Sequence, residues 1–344
     1  MSQPYIGGQA VLEGVMMRSP KSFVVAVRRP DGSIAVREQQ WTSLLPKLKF
    51  LRWPLLRGAV VLLESLHNGY SALLFSAEQA LPPEEGQDAK GKGSSGGGGG
   101  GVGSTALLAF STLIMVALFI AAPHLLTYAV GQLLGLNLDT QGFAFHLVDG
   151  FFRVAILVGY ISAVARTAEM KRVFQYHGAE HKAIWAYESG LPLTVQSARG
   201  FTTLHPRCGT SFLFVVVMVA VLLHVALFPF IPRLHPNGVV NQLLMVLVKV
   251  PMAFPIAGVA YELQRISAKA SCPKPIQWLV RPGLWMQNIT TREPTDAQLE
   301  IAVLALARSL AREEGRAAAP DGLAVYADFQ SASGLQPMPA PVPA

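Results

Sequence analysis

Only two cysteines occur in the 344 residues, Cys208 and Cys272, and charged residues make up just 14% of the chain. Two thiols so distant in sequence offer no disulfide framework and suit a reducing, cytosol-facing location. Soluble domains carry about 25% charged residues. The shortage of charge, beside 51% hydrophobic residues and a mean hydropathy of +0.38, therefore points to a membrane protein with substantial polar parts. Met1 to Arg18 lacks the charged start, apolar core and small-residue cleavage site of a signal peptide, so no cleaved export signal is expected. A Walker loop, a dinucleotide fingerprint and G-x-S-x-G are also missing, which leaves nucleotide-driven, dinucleotide-dependent and serine-hydrolase chemistry without sequence support.

Long apolar runs are what the chain has instead. From Ser104 to Leu138 there is no Asp, Glu, Lys or Arg, and the first span is expected over 106–130. A second, 143–165, carries Asp149 and Arg153 four residues apart, either an ion pair on one helix face or part of a substrate or proton path. The third, 210–231, holds only His224 as a titrating group, read as packed or interfacial. The fourth, 239–261, contains Lys249 together with Pro251 and Pro255, which predict a kink or a broken helix. Eleven Lys and Arg precede the first span, six lie between Arg166 and Arg207, eight follow Tyr261, and the other loops hold only Arg233. This bias predicts that both termini and the 166–209 loop are cytoplasmic. Anionic lipid headgroups account for the net charge of +7. No stacking or helix-turn-helix pattern accompanies that charge, so nucleic acid is not an expected partner.

The polar remainder divides around these spans. Residues 1–50 read as a β unit, in which Phe23 to Val27 and Ile34 to Val36 flank a Pro30-Asp31-Gly32 turn. Residues 51–81 are apolar but broken by charge, which predicts an amphipathic interfacial or re-entrant helix, with packing as a soluble helix the other reading. Residues 82–103 read as a flexible, glycine-rich linker ahead of a membrane domain over 104–263. In 264–315, Pro273 to Pro282 reads as extended loop, and Thr295 to Gln298 is a capping-box signature that opens a helix to about Glu314. Leu299, Val303, Leu306 and Leu310 share one face of that helix, which is expected to pack on the β unit. The proline-rich tail, 316–344, is expected to be disordered. The fold class is thus a mainly α membrane protein with about four transmembrane helices plus a small α+β cytosolic domain formed from both termini.

Between the second and third spans stands His177-Gly178-Ala179-Glu180-His181, an H-x-x-E-H run on a helix expected from Arg166 to Ser189. A helix turns about 100° per residue, so histidines four apart share a face on which both imidazoles can meet one cation. The same run also fits an interfacial helix whose histidines lie beside headgroups. The metal reading gains from His205-Pro206-Arg207-Cys208-Gly209, placed where the chain returns toward the third span. Imidazole and thiolate both suit zinc or another divalent transition metal. An open catalytic site takes three protein ligands, for which His177, His181 and His205 are the candidates, with Cys208 a fourth or alternative ligand or else a nucleophile. Glu180 is the candidate general base, as in metallohydrolases with inverted H-E-x-x-H order. Glu188 shares the histidine face but lies about 10 Å farther along the axis. Glu64 and His67 form an E-x-x-H pair, for which core or surface placement is the expected explanation.

Four separated segments, Gly7 to Arg18, Phe174 to Lys182, His205 to Phe212 and Thr290 to Pro294, resemble in the same order the YqhQ-like family of bacterial membrane proteins. The resemblance covers about residues 5 to 315, leaving out the glycine linker and the proline tail. It implies the inner membrane of a bacterial cell and the family's description as predicted metal-dependent enzymes. The function expected is metal-dependent hydrolysis of a lipid-linked or membrane substrate. The alternative is a non-enzymatic membrane scaffold or transporter with a structural metal site or polar network.

Overall fold

Short, largely apolar segments separated by tight turns build an N-terminal meander in the computed structural model of the chain. The structure describes residues 4–43, 53, 56–80, 102–136, 138–267, 273–316 and 321–334, and side chains throughout these except at 102–108 and 279–280. The linker up to residue 101, Cys272 and the prolines from Pro337 onward lie outside the described residues. Strands β1 (Gly7–Val11), β2 (Gly14–Arg18), β3 (Ser22–Arg28) and β4 (Ile34–Gln40) pair antiparallel in sequence order. Asp31 makes the β3–β4 turn by accepting from the Ser33 amide at 2.9 Å, beside Gly32 at φ 87°. The tail expected to be disordered supplies a fifth strand, β5 (Gly322–Tyr326), whose Tyr326 stands opposite Ile34. That corrects the expectation for 316–344, at least over 321–334: a free β4 edge is satisfied by chain from the other terminus.

Alternation along the strands separates two cores. Val15, Met17, Val24, Ala26, Ile34 and Val36 face one way, against α5 (Ala168–Glu188) and α10 (Asp296–Glu313). Met16, Phe23, Val25, Val27 and Ala35 face the other, against Ala72 and Phe75 of α1 (Leu56–Ala80). The α10 start carries the expected capping box, with the Thr295 amide donating to Gln298 Oε1 at 2.9 Å. Leu299, Val303, Leu306 and Leu310 are all buried. Residues 274–290, read partly as loop, are instead helix α9 (Lys274–Thr290). Prolines at a helix's first turn give up an amide that has no intrahelical partner anyway, so Pro275 does not oppose it.

The chain separates into two compact units, one of 1–82, 161–214 and 261–344 holding the sheet, and one of 83–160 and 215–260. Among the described residues, four helical stretches are long and apolar enough to cross a membrane: Ala109–Leu133, Phe143–Val164, Gly209–Phe230 and Gly238–Ser267. The first consists of the end of α2 (Val102–Val116), a π turn and α3 (Ala122–Leu133). The others are α4 (Phe143–Val164), α7 (Gly209–Leu227) with a 3₁₀ turn, and α8 (Gly238–Ser267). Helix α8 runs unbroken through Pro251 and Pro255, so the broken-helix expectation fails. Inside the second unit, Asp149 meets Lys249 at 3.1 Å and Arg153 at 3.2 Å, and Lys249 also donates to His124 Nδ1 at 2.9 Å. His224 is buried against Phe228 and His146.

Candidate metal centre

Helix α5 starts at Thr167, whose hydroxyl accepts from the Met170 amide at 3.3 Å, and ends before Gly190 at φ 70°. Its residues 176–184 are almost continuously buried, because the sheet and α10 cover one side and two loops cross the other. One loop is Thr290 to Pro294. The Arg292 amide donates to Phe174 O at 2.9 Å, and Lys182 Nζ reaches Glu293 Oε1 at 2.5 Å and Arg199 O at 3.0 Å. The strap passes so close that a Cβ on Gly178 would stand 2.1 Å from the Arg292 carbonyl oxygen. The other loop carries Thr203 to Cys208. Gln287 of α9 clamps it by accepting from the His205 amide at 2.7 Å and donating to His205 O at 2.8 Å and Ser211 Oγ at 2.6 Å.

These loops bring His177, His181 and Cys208 together, with one ligand atom from each lying within 4.8 Å of the others. His177 Nδ1 donates to Thr290 O at 2.7 Å and His181 Nδ1 donates to Thr203 O at 2.5 Å. Both carbonyls fix the tautomer and turn the Nε2 atoms inward. His177 Nε2 lies 3.1 Å from Cys208 Sγ, while His181 Nε2 is buried with no hydrogen-bond partner. A buried lone pair left unsatisfied is costly, and Nδ1-to-carbonyl anchoring is how proteins orient metal-ligating imidazoles. The donor set therefore fits a thiolate- and imidazole-loving divalent metal such as zinc.

Glu180 is buried beside the cluster, with Oε2 3.9 Å from His177 Nε2. Burial raises its carboxyl above the ordinary range, against the pull of His181 and His177. Strand β1 closes this side: a Cβ on Gly8 would meet Glu180 Oε1 at 2.5 Å. Burial alone would raise the Cys208 thiol, but the facing His177 and His181 hold it well below its usual value. Conversely, burial opposes a proton on His177, yet the Cys208 and Glu180 charges push it up to about 9.

His205 is placed differently. Its ring centroid lies 5.6 Å from that of His181, but its Nδ1 accepts from the Arg207 amide at 3.3 Å and its Nε2 faces Glu188 Oε2 at 3.4 Å. Both ring nitrogens are thus occupied, and His205 lies outside the cluster of three ligands. Burial lowers it to about 4. Glu188, which also pairs with Arg207, serves this neighbouring trio. Glu64 accepts from Ser43 Oγ at 2.9 Å and lies 3.8 Å from Arg18, a structural setting, whereas His67 is exposed. The Thr203 and Thr290 carbonyls and Gln287 were not among the residues singled out from sequence. Backbone oxygens have no sequence signature, and the Thr290 to Pro294 motif alone hinted at them.

The family described as "Protein of unknown function (DUF1385)" matches residues 53–312, which is most of the chain. The chain belongs to the DUF1385 family. A relative of this DUF1385 protein, "Uncharacterized protein YqhQ" of Bacillus subtilis (strain 168), is 34% identical over 303 residues, covering 87% of this chain and 90% of the relative. No solved structure matches. The four segments that carry the resemblance, three inside the matched residues and Gly7 to Arg18 ahead of them, converge here: Gly8 on Glu180, α5 with its histidines, the Cys208 loop, and the strap over Gly178.

Proposed function

We propose that His177, His181 and Cys208 hold a divalent transition metal, zinc first, in a membrane hydrolase acting on a lipid-linked substrate. The observation that carries this reading is His181 Nε2, buried without a hydrogen-bond partner beside His177 and Cys208, with both imidazoles anchored through Nδ1. Three protein ligands leave an open position, and a metal bound there supplies Lewis acidity toward a water or substrate oxygen. Glu180 takes the proton from the attacking water and passes it to the leaving group, and its raised pKa suits it to both steps. Gly8 and the strap over Gly178 keep the carboxylate and the imidazoles fixed. His205, with Glu188 and Arg207, supports the rim rather than the metal. The distribution of Lys and Arg supports a cytoplasmic site on a bacterial inner membrane, with lipids as the immediate surroundings.

Metal content of the purified full-length protein is the test. Close to one equivalent of zinc is expected, lost in His177→Ala and in His181→Gln; unchanged content in both variants removes the site.

A second, non-enzymatic reading rests on Asp149, Arg153 and Lys249. Transport requires these charges to line one cavity. They pack on one another instead, while a cavity of about 330 Å³ in the same unit is lined by residues such as Tyr128, Thr140, Asn241 and Gln242. This arrangement favours a structural role for the charges.

A further inference from the structure

Helix α1 has two apolar faces. One packs on the sheet through Ala72 and Phe75. The other carries Leu63, Leu66, Tyr70, Leu73 and Leu74, spaced along one side of a helix and all exposed, Leu66 by 60%. A helix that lies on a soluble domain turns polar residues outward, and an exposed apolar stripe of this length marks an interaction surface. Helix α9 repeats the feature. Trp278 and Trp285 are 70% and 53% exposed, the Arg281 guanidinium lies 5.2 Å from the Trp278 ring, and the helix has no acidic residue.

Both helices are tied to a membrane-spanning element within the sheet-bearing unit. Arg57 at the start of α1 donates from Nε to Glu262 Oε1 at 2.5 Å, and Glu262 belongs to α8, just past the apolar run 239–261 of that helix. Helix α9 begins at Lys274, seven residues after Ser267. At about 3.5 Å per residue the connection reaches roughly 25 Å at most. Exposed tryptophan beside arginine on α9, and an exposed leucine stripe on α1, are the chemistry of helices lying at the headgroup level of a bilayer.

We infer that α1 and α9 are interfacial helices, with Leu63, Leu66, Leu73, Trp278 and Trp285 seated in lipid. This goes beyond the hydrolase reading and stands with or without a metal. It also gives α9 two tasks, since Thr290 at its end accepts from His177 Nδ1.

Tryptophan fluorescence of the full-length protein in vesicles of phosphatidylcholine and phosphatidylglycerol tests it, with acyl-brominated lipid and aqueous acrylamide as rival quenchers. Most of the lipid-quenched fraction is expected to be lost in Trp278→Phe/Trp285→Phe, because these are the two tryptophans placed in lipid. In that background, Leu66→Trp and Leu73→Trp are each expected to restore lipid quenching while being shielded from acrylamide. Acrylamide quenching with no response to brominated lipid overturns the inference in favour of a water-facing surface. Shielding from both quenchers overturns it in favour of a protein partner or a second copy. The Phe variants are conservative and the Leu positions exposed, and the wild-type response gives a reading even if one variant fails to fold.

Discussion

His177 Nε2 and Cys208 Sγ meet 3.1 Å apart, although 31 residues of chain separate them. Nothing in the helix period of α5 demands this contact. It depends on Gln287 holding the His205 backbone, and on Thr290 turning the imidazole inward. The proximity holds the thiol below its usual value and the imidazole above its own, and on the proposed metal reading a divalent cation would take the place of the proton between them.

Cobalt(II) makes this visible. Added to metal-free protein, it is expected to give a thiolate-to-metal absorption band, because Cys208 supplies the sulfur. Cys208→Ser should abolish the band and weaken cobalt binding by about tenfold or more. Cys272→Ser should leave both unchanged, and since the chain has only these two cysteines, a band that survives Cys208→Ser would assign the sulfur to Cys272.

Three glycines give a graded steric test. A Cβ on Gly7 meets nothing within 4 Å, so Gly7→Ala is expected to melt like the parent in detergent. On Gly8 the Cβ would meet the Glu180 side chain at 2.5 Å, and since that chain is enclosed the cost should be about 1–3 kcal/mol, with Glu180 displaced. On Gly178 it would strike the Arg292 carbonyl, which is backbone and cannot rotate away. Gly178→Ala should therefore give the largest drop in melting temperature and the greatest loss of bound metal. Equal melting of all three would show that the strap and β1 do not press on α5.

The spans were readable because a helix facing lipid is apolar around most of its circumference, which no other element of this length tolerates. The α10 cap was equally plain, since Thr295 and Gln298 act within one turn. What stayed hidden was nonlocal. Strand β5 is five residues in an alanine- and proline-rich tail, and only its pairing with β4 makes it a strand. Helix α9 was masked by Pro273, Pro275 and Pro282, although the first two sit where a helix has no amide to lose. His177, His181, Cys208 and Glu180 could be named from spacing and residue type. The separate surroundings of His205 could not, because they rest on the Arg207 amide and on Glu188.

The tail strand is also a stability prediction. Ending the chain after Arg316 removes β5 and bares the edge of β4, whose Ile34, Ala35 and Val36 are fully buried. Arg308 would lose its bonds to Tyr326 Oη and Ala332 O as well. An exposed strand edge recruits other chains. The truncated protein is expected to melt lower and to elute as aggregate in size-exclusion chromatography; an unchanged monodisperse peak would mean that β5 contributes nothing.

Asp149 carries the sharpest energetic consequence in the membrane unit. Its two oxygens face Lys249 at 3.1 Å and Arg153 at 3.2 Å, and all three groups are buried. Asp149→Asn leaves two cations with no counter-charge in a medium that solvates neither, which should cost about 3–5 kcal/mol. Adding Lys249→Met removes one of them, and the double variant is expected to regain part of that loss, the remainder being the cost of Arg153, which still lacks its counter-charge. The measurement is a double-mutant cycle on thermal unfolding in lipid nanodiscs. Additive losses would show that Asp149 and Lys249 do not share an interaction, and that the polar interior of the spans serves something other than mutual neutralisation.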